Sequence, residues 1–481
     1  MNLASLFLAP AVATPDRIAL TDAECAVSYR DLARRAGGVA EQLRDAGVGS
    51  GDRVALIGSN SIGFAASYLG VLWIGAIAVP LNPMATPTEL ADQLATVKPK
   101  ALVILPGYTD AAPVGVPVVE IDTERATENV PLANVENDEI AVLLFTSGTA
   151  GLPKAAKLSH GNLAANVRAI QSSDALALHD GDIGFAALPW FHIFGLNVGL
   201  GLGLASGIPT VVADAFDPAG AVDLIAEKGV TILAVVPTML RSWLELSRAN
   251  ASTFRSVRLC VSGAAPLGTD LVHEVAERFG ITVHDGYGLT EASPIVTTSA
   301  MGATRPGSIG RPIPGVQIRL VDVDGHETEP GDAGELWVKG DNVFSGYWND
   351  PEATASVLED GWLKTGDVAV QDADGYLYLV DRVKDLIIVS GFNVFPAEVE
   401  RVLVEHEAVA EAGVVGVVDE RTGEAVKAYV VLDAPSDVDA LGMWCRARLS
   451  RYKCPREIEI VDALPRNLTG KVLRRALRSD S

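Results

Sequence analysis

Apolar and polar positions along the chain fall into two alternating rhythms. From Val27 to Ala46 apolar residues recur at helical spacing, and the pattern stops at Gly47, a residue suited to a helix C-terminus. The turn Gly49-Ser50-Gly51-Asp52 then leads into a short unbroken apolar run, Val54 to Ile57. Pro99-Lys100 precedes a second run, Ala101 to Leu105, and Ile140 to Phe145 is a third that ends in a Gly/Thr/Ser loop. Val211 to Ala213 and Ile232 to Val236 continue the series. Unbroken apolar strands alternating with helices predict a layered α/β architecture with largely parallel sheets, because strands covered on both faces have no polar side to alternate with.

Ser61 to Leu81 is an uncharged stretch long enough on paper to span a bilayer. Its glycines, and the Val79-Pro80-Leu81-Asn82-Pro83 that ends it, predict a buried helix turning into a buried strand instead. The opening Leu3 to Ala13 is apolar and ends Ala-Val-Ala, like a signal-peptide cleavage site, but no positive region precedes it, which argues against export. Near Gly375 the character changes. A strand is expected over Tyr376 to Val380, then a charged break, Asp381-Arg382-Val383-Lys384-Asp385. A helix from Pro396, strands near Val414 to Val418 and Ala428 to Leu432, and a helix from Val438 follow. The expectation is a large layered multi-sheet α/β domain over 1–383 and a small α+β domain over 384–481.

Composition narrows the partners. The formal net charge of −23 argues against nucleic acid and against an anionic membrane surface, both of which select clustered Lys and Arg. Cys25, Cys260, Cys445 and Cys454 have neither metal-ligand spacing nor a pairing rhythm, so they read as structural thiols of a cytoplasmic protein. No stable membrane insertion is expected, and the chain reads as a monomer or homodimer.

The sharpest local motif is Leu144-Phe145-Thr146-Ser147-Gly148-Thr149-Ala150-Gly151-Leu152-Pro153-Lys154, directly after an apolar strand. Glycines let backbone approach phosphate oxygens, hydroxyls donate to them, and a lysine adds a point charge. No Gly-Lys-Ser/Thr closes the loop, so it is not a Walker A loop. The segment resembles the phosphate loop of the adenylate-forming superfamily: acyl-CoA synthetases, peptide-synthetase adenylation domains and firefly luciferase. Further similar segments follow in the same order. They are Val261-Ser262-Gly263-Ala264-Ala265-Pro266-Leu267, Asp285-Gly286-Tyr287-Gly288-Leu289-Thr290-Glu291, Thr365-Gly366-Asp367, Asp381 to Asp385, Ser390-Gly391-Phe392-Asn393 with Pro396-Ala397-Glu398, and Pro465 to Lys471.

The resemblance implies an AMP-forming acid–thiol ligase that uses ATP, Mg²⁺ and coenzyme A on a small-molecule carboxylic acid. The carboxylate attacks the α-phosphorus of ATP, pyrophosphate leaves, and the acyl-adenylate passes to the thiol. It places Gly263, Ala264, Ala265, Asp285, Gly286, Tyr287 and Gly288 around adenine, with Tyr287 stacking. Thr146, Ser147, Gly148, Thr149, Gly151 and Lys154 fall to the phosphates, Thr290 to the α-phosphate, and Glu291 with Thr146 to Mg²⁺. Asp367 supported by Arg382 falls to the ribose, and Lys471 to the acyl carboxylate and nucleotide. For the second step it implies a mobile small domain hinged at Lys384, with Ser390, Gly391 and Phe392 lining the thiol tunnel.

The chain departs from the family pattern in places. Ala150 and Ala155 replace a Thr and a Gly of the loop; one lost hydroxyl bond costs about 1 kcal/mol, and the extra Cβ of Ala155 implies some backbone shift. Ile388 stands where some relatives have lysine. Leu188-Pro189-Trp190-Phe191-His192 is similar to the segment bordering the acyl site, and His192 is either near the carboxylate or a core residue. Gly195 to Gly207 is either an apolar acyl channel or a packed helix. Gly286 stands where malonate-using relatives carry arginine, and Gly263 and Gly286 leave room, so a medium- or long-chain fatty acid is expected, ahead of aryl or branched acids. A ligase that loads a carrier protein, and a weakly catalytic ATP- and acyl-binding protein, are the alternatives.

Overall fold

The structure, a computed structural model of the chain, describes residues 1–108, 116–146, 154–176, 178–382, 385, 387–389, 392–419, 422–449, 451–466 and 472–478; of 381, 382, 388, 392, 393, 423 and 475 only the backbone is described. It divides into two compact units. The first is Met1–Gln317 with Val338–Leu363, and the second is Ile318–Trp337 with Lys364–Ser481. The changeover at Leu363–Lys364 precedes the expected cut at Lys384, and the segment 318–337 joins the second unit from within the first.

In the first unit the uncharged stretch after Ser61 is a buried helix, Ile62–Trp73, and then a buried strand, Ile77–Leu81, as its pattern predicts. Ser61 caps the helix by accepting from Phe64 N–H. A five-stranded sheet runs in the order Ala101–Ile104, Arg53–Ile57, Ile77–Leu81, Ile140–Thr146, Lys154–Ser159. All neighbours are parallel except the last pair, an antiparallel hairpin. The expected parallelism therefore holds for its centre and yields at the edge that carries the phosphate-loop motif.

A nine-stranded sheet in the same unit has a parallel middle: Val283–Gly288, Leu259–Ser262, Ile232–Val235, Gly184–Ala186, Thr210–Val212 and Ile18–Thr21. Antiparallel strands flank it, Ile295–Thr298 with Arg311–Pro312 at one end and Ala26–Ser28 at the other. Its core is an aromatic row, Phe216, Trp243, Phe254 and Phe279, with successive ring centroids 5.7, 5.3 and 4.5 Å apart. Val27 and Ser28 belong to a strand, so the expected helix from Val27 starts at Tyr29, capped by the Ser28 side chain, and runs to Asp45. The apolar opening forms short helices, Leu3–Phe7 and Pro10–Ala13, with Leu3, Ala4 and Phe7 buried.

In the second unit Leu377–Arg382 pairs antiparallel with Trp362–Gln371. Asp381 and Arg382 thus lie inside a strand; the expected charged break does not end the strand at Val380. A further sheet orders Phe392–Val394, Ile387–Val389, Gly423–Leu432 and Val409–Asp419, with Glu457–Ile460 parallel to Gly423–Leu432. Helices Pro396–Val404 and Val438–Arg446 cover it over a core that includes Ile387, Val399, Leu403, Val414, Val430 and Leu441. Among the described residues no helix is long and apolar enough to cross a membrane.

Candidate active site

The hairpin Ile140–Thr146/Lys154–Ser159 closes with Thr146 opposite Lys154, and the Thr146 hydroxyl donates to the Lys154 carbonyl at 3.4 Å. The intervening residues, including Ser147, Gly148, Thr149, Ala150 and Gly151, lie outside the described residues, as do Lys384, Ser390, Gly391 and Lys471. Ala155 is a fully paired strand residue opposite Phe145, and its methyl is buried in the core. The sheet accommodates the Cβ that the loop comparison flagged.

Lys154 Nζ stands 5.3 Å from the centroid of the Tyr347 ring and 3.9 Å from Asp350 Oδ2. The other oxygen of Asp350 caps the helix Pro351–Val357 by accepting from Ala353 N–H. Tyr347 is itself fixed by backbone: Lys157 N–H donates to Gly346 O at 2.9 Å, Trp348 N–H to Ala155 O at 2.8 Å, and Tyr347 N–H to Thr354 Oγ1 at 2.9 Å. Its hydroxyl donates to Glu291 Oε1 at 2.8 Å. Burial first, then the charge of Glu291, pushes the phenol well above its ordinary pKa, so it stays a donor.

Glu291 sits in the 3₁₀ turn Thr290–Ala292, which packs against the strand Lys154–Ser159. Its carbonyl accepts from Phe344 N–H at 2.8 Å, and buried Asn342 donates to Ala292 O at 2.8 Å. Glu291 and Ala292 are thus held by the same segment, 342–350, that holds Lys154.

The two loops that the resemblance places around adenine are likewise neighbours. Leu259–Ser262 and Val283–Gly288 pair in parallel with Ser262 beside Asp285. After Ser262 the chain turns at Gly263, whose N–H donates to Val235 O, and Ala264 takes a left-handed φ of 66°. That conformation costs an alanine about 1–2 kcal/mol, strain of a kind that gathers at binding loops. Ala265 follows it. A Cβ on Gly263 would lie 3.3 Å from the Phe194 ring and 3.5 Å from Gly286 O. The room expected beside Gly263 is therefore filled by Phe194, whereas a Cβ on Gly286 would meet Ser262 O and Thr297 O at an ordinary 3.6 Å. Tyr287 is buried opposite Thr297.

Burial pushes the Asp285 carboxyl up to about 7, against the Gly286 N–H that favours its charge. The native state therefore holds a proton that the unfolded chain, with a carboxylate pKa near 3.9, releases. Stability is greatest below about pH 4 for this group and falls as pH rises through about 7. Asp285→Asn should stabilise the protein relative to the native chain by on the order of 2–4 kcal/mol at pH 8, with the difference closing toward pH 4. Urea unfolding across that range checks it, and a difference independent of pH would contradict it.

His192 follows a turn that Asn60 locks from below: Asn60 Nδ2 donates to Leu188 O and its Oδ1 accepts from Trp190 N–H, both at 2.9 Å. The half-buried imidazole lies 4.6 Å from the Phe191 ring, and burial holds its pKa below the ordinary value, leaving it neutral at pH 7. Phe194–Leu202 forms a π-helix continued by Gly203–Ala205, so Gly195 to Gly207 opens as a helix. Such wide turns recur at functional sites.

In the second unit Asp367 is buried, pairs with Arg382 across the strands, and receives a backbone tie from its N–H to Thr365 Oγ1 at 3.1 Å. Thr365 Oγ1 donates to Leu336 O at 2.6 Å, and Glu335 accepts from Gly366 N–H at 3.0 Å. Phe392 begins the strand Phe392–Val394. Asn60, Asn342, Tyr347 and Asp350 were not singled out from sequence. The turn-forming run Gly346 to Pro351 is the sequence feature that bears on the last two.

This fold and these motifs define a class of ATP-dependent, adenylate-forming ligases. The chain belongs to the AMP-binding enzyme family, whose model matches residues 7–348, with the family's C-terminal domain matching 398–471. It is 37% identical over 477 residues to a feruloyl-CoA synthase of Amycolatopsis sp, covering 97% of this chain and 96% of that protein. It is 33% identical over 530 residues to the long-chain-fatty-acid–CoA ligase of Salmonella typhimurium, covering 100% and 94%. ATP-bound MatB from Rhodopseudomonas palustris superposes with a TM-score of 0.93 at 35% identity, covering 100% of this chain and 99% of that one. Adenylate-forming CoA ligases use ATP, Mg²⁺ and CoA, and related structures hold ATP, AMP or ATP with magnesium.

Proposed function

We propose that this protein is an AMP-forming acid–CoA ligase for an apolar carboxylic acid, a medium- or long-chain fatty acid in the leading reading. The observation that carries the nucleotide part is Tyr347, on which a loop ammonium, Lys154, and a carboxylate, Glu291, both converge. A magnesium triphosphate needs that pair, a cation for phosphate oxygens and a hard anionic oxygen for the metal. The donor set, the Glu291 carboxylate with the Thr146 hydroxyl, is all oxygen and sparse, which suits an ion that keeps waters and phosphate ligands. Bound there, Mg²⁺ would neutralise charge on the phosphates.

The chain's own residues supply the rest. Gly263 to Ala265, Asp285 to Gly288, and the Tyr287 ring hold the adenine; Asp367 with Arg382 takes the ribose; Thr290 and Lys154 take phosphate oxygens. Ser147, Gly148, Thr149 and Gly151 wrap the triphosphate. Lys471 sits between carboxylate and α-phosphate and offsets the repulsion of two anions during attack. Neutral His192 orients the carboxylate without adding charge. For thioester formation residues 384–481 swing about Lys384, and Ser390, Gly391 and Phe392 line the pantetheine path. The reaction belongs in the cytoplasm, where ATP and CoA are at hand.

An apolar acid is favoured by the uncharged π-helix Phe194–Leu202 and by Gly199, where a Cβ would still be 3.9 Å from Trp190 Nε1. The feruloyl-CoA synthase relative favours an aryl acid as the second reading. Purified protein with ATP, Mg²⁺ and CoA, given acids from acetate to palmitate together with ferulate, separates the two. Highest acyl-CoA yield on long straight chains is the expected result; preference for ferulate would replace the leading reading, and acyl-AMP accumulating beside unused CoA would point to a carrier-protein acceptor.

A further inference from the structure

Tyr347 occupies a position that none of the motifs predicts. Its ring lies under the Lys154 ammonium and its hydroxyl reaches Glu291 Oε1, so one side chain spans the strand end of the phosphate loop and the 3₁₀ turn of the central motif. These two elements are distant in sequence, and the segment that joins them is rigidly attached to the first. Its backbone is bonded to Lys157, Ala155 and Thr354, and Gly346 takes a φ of +109°, with the Thr354 side chain packed where a Cβ would stand.

A carboxylate that holds a hard cation works best when its other interactions fix which oxygen faces the ion, and such partners outside the ligand set tune affinity strongly. Tyr347 is placed to do this, since its donated bond fixes Oε1 of the carboxylate. Lys154 has a weak alternative partner in Asp350, a half-exposed pair at 3.9 Å, the sort of ion pair worth little and readily exchanged for phosphate.

We propose that Tyr347 is a positioning residue for magnesium nucleotide, presenting the Glu291 carboxylate to the metal while its ring seats Lys154 for the phosphates. This rests on the reading of Glu291 as the residue that holds Mg²⁺. It needs no contact between Tyr347 and the nucleotide itself.

Titration calorimetry of the full chain with a non-hydrolysable ATP analogue, in Mg²⁺ and again in EDTA, tests it without turnover. Tyr347→Phe keeps the ring and removes the hydroxyl. It should weaken binding in Mg²⁺ by roughly 10-fold or more and leave binding in EDTA unchanged. Glu291→Gln should behave alike, and the double variant should bind no worse than Glu291→Gln alone. Native-like binding by Tyr347→Phe beside weakened Glu291→Gln overturns the proposal, and so does an equal loss in Mg²⁺ and EDTA, which marks packing. If Glu291→Gln leaves Mg²⁺-dependent binding intact, the metal reading of Glu291 fails and the proposal with it. Native protein labelled with ζ-¹³C tyrosine gives an answer independent of variant folding. At saturating analogue one tyrosine resonance should move on adding Mg²⁺, and none moving contradicts the assignment.

Discussion

Lys471→Ala should slow acyl-adenylate formation by roughly 10²–10³-fold while leaving the reaction of preformed acyl-adenylate with CoA close to native. The reason is electrostatic. In the first step a carboxylate approaches a phosphate, and without a cation between them the transition state carries uncompensated like charge in a site shielded from water. In the second step a thiol attacks the uncharged carbonyl carbon of the mixed anhydride, the acyl carbon–oxygen bond breaks, AMP leaves, and that need disappears. Acid-dependent exchange of pyrophosphate into ATP reads the first step, and synthetic acyl-adenylate with CoA reads the second. Exchange within a few-fold of native would remove Lys471 from the account, and equal loss of both steps would mean a general structural role.

Gly288→Ala should be the most damaging single methyl in the central motif. Its Cβ would stand 2.1 Å from Pro294 O and 2.8 Å from Pro294 C. Those are backbone atoms, and Pro294 O already accepts from Leu289 N–H at 3.1 Å, so nothing near can yield cheaply. Overpacking of this kind costs about 1–3 kcal/mol, and the displaced strand would carry Tyr287, Thr290 and Glu291 out of place. Gly286→Ala is the matched comparison, because its Cβ meets Ser262 O and Thr297 O at an ordinary 3.6 Å. Chemical denaturation should show a large loss for the first and little for the second. Equal midpoints would mean that the strand end near Pro294 is softer than its contacts indicate.

The contrast between these glycines shows what the sequence carries and what it leaves out. Gly263, Asp285 and Asp367 stand out in the sequence because each belongs to a short contiguous motif, and they fall at a turn, inside a strand and in a strand pair. The buried helix Ile62–Trp73 and strand Ile77–Leu81 were legible from hydrophobicity and punctuation alone. Val27 misled because an apolar residue fits a helical face as well as a strand, and only pairing of Ala26–Ser28 with Ile18–Thr21 decides it. Tyr347 was illegible for a related reason. Its partner Glu291 is 56 residues away, and no periodicity announces a bond across that distance. The passage of 318–337 into the second unit is also a tertiary outcome, set by contacts between residues distant in sequence. The π-helix Phe194–Leu202 has the same origin, since its apolar, glycine-rich composition fits several helical or irregular conformations.

An AMP-forming ligase activates its acid by forming a bond from the carboxylate oxygen to the α-phosphorus. Turnover of an ¹⁸O-labelled carboxylic acid with ATP, Mg²⁺ and CoA tests it most directly. Thiolysis of an acyl-adenylate breaks the carbonyl carbon–oxygen bond, so one labelled oxygen must remain on phosphorus. Mass spectrometry should find AMP carrying a single ¹⁸O, in step with acyl-CoA and unlabelled pyrophosphate. Label in inorganic phosphate together with ADP, or AMP without label, would contradict the account.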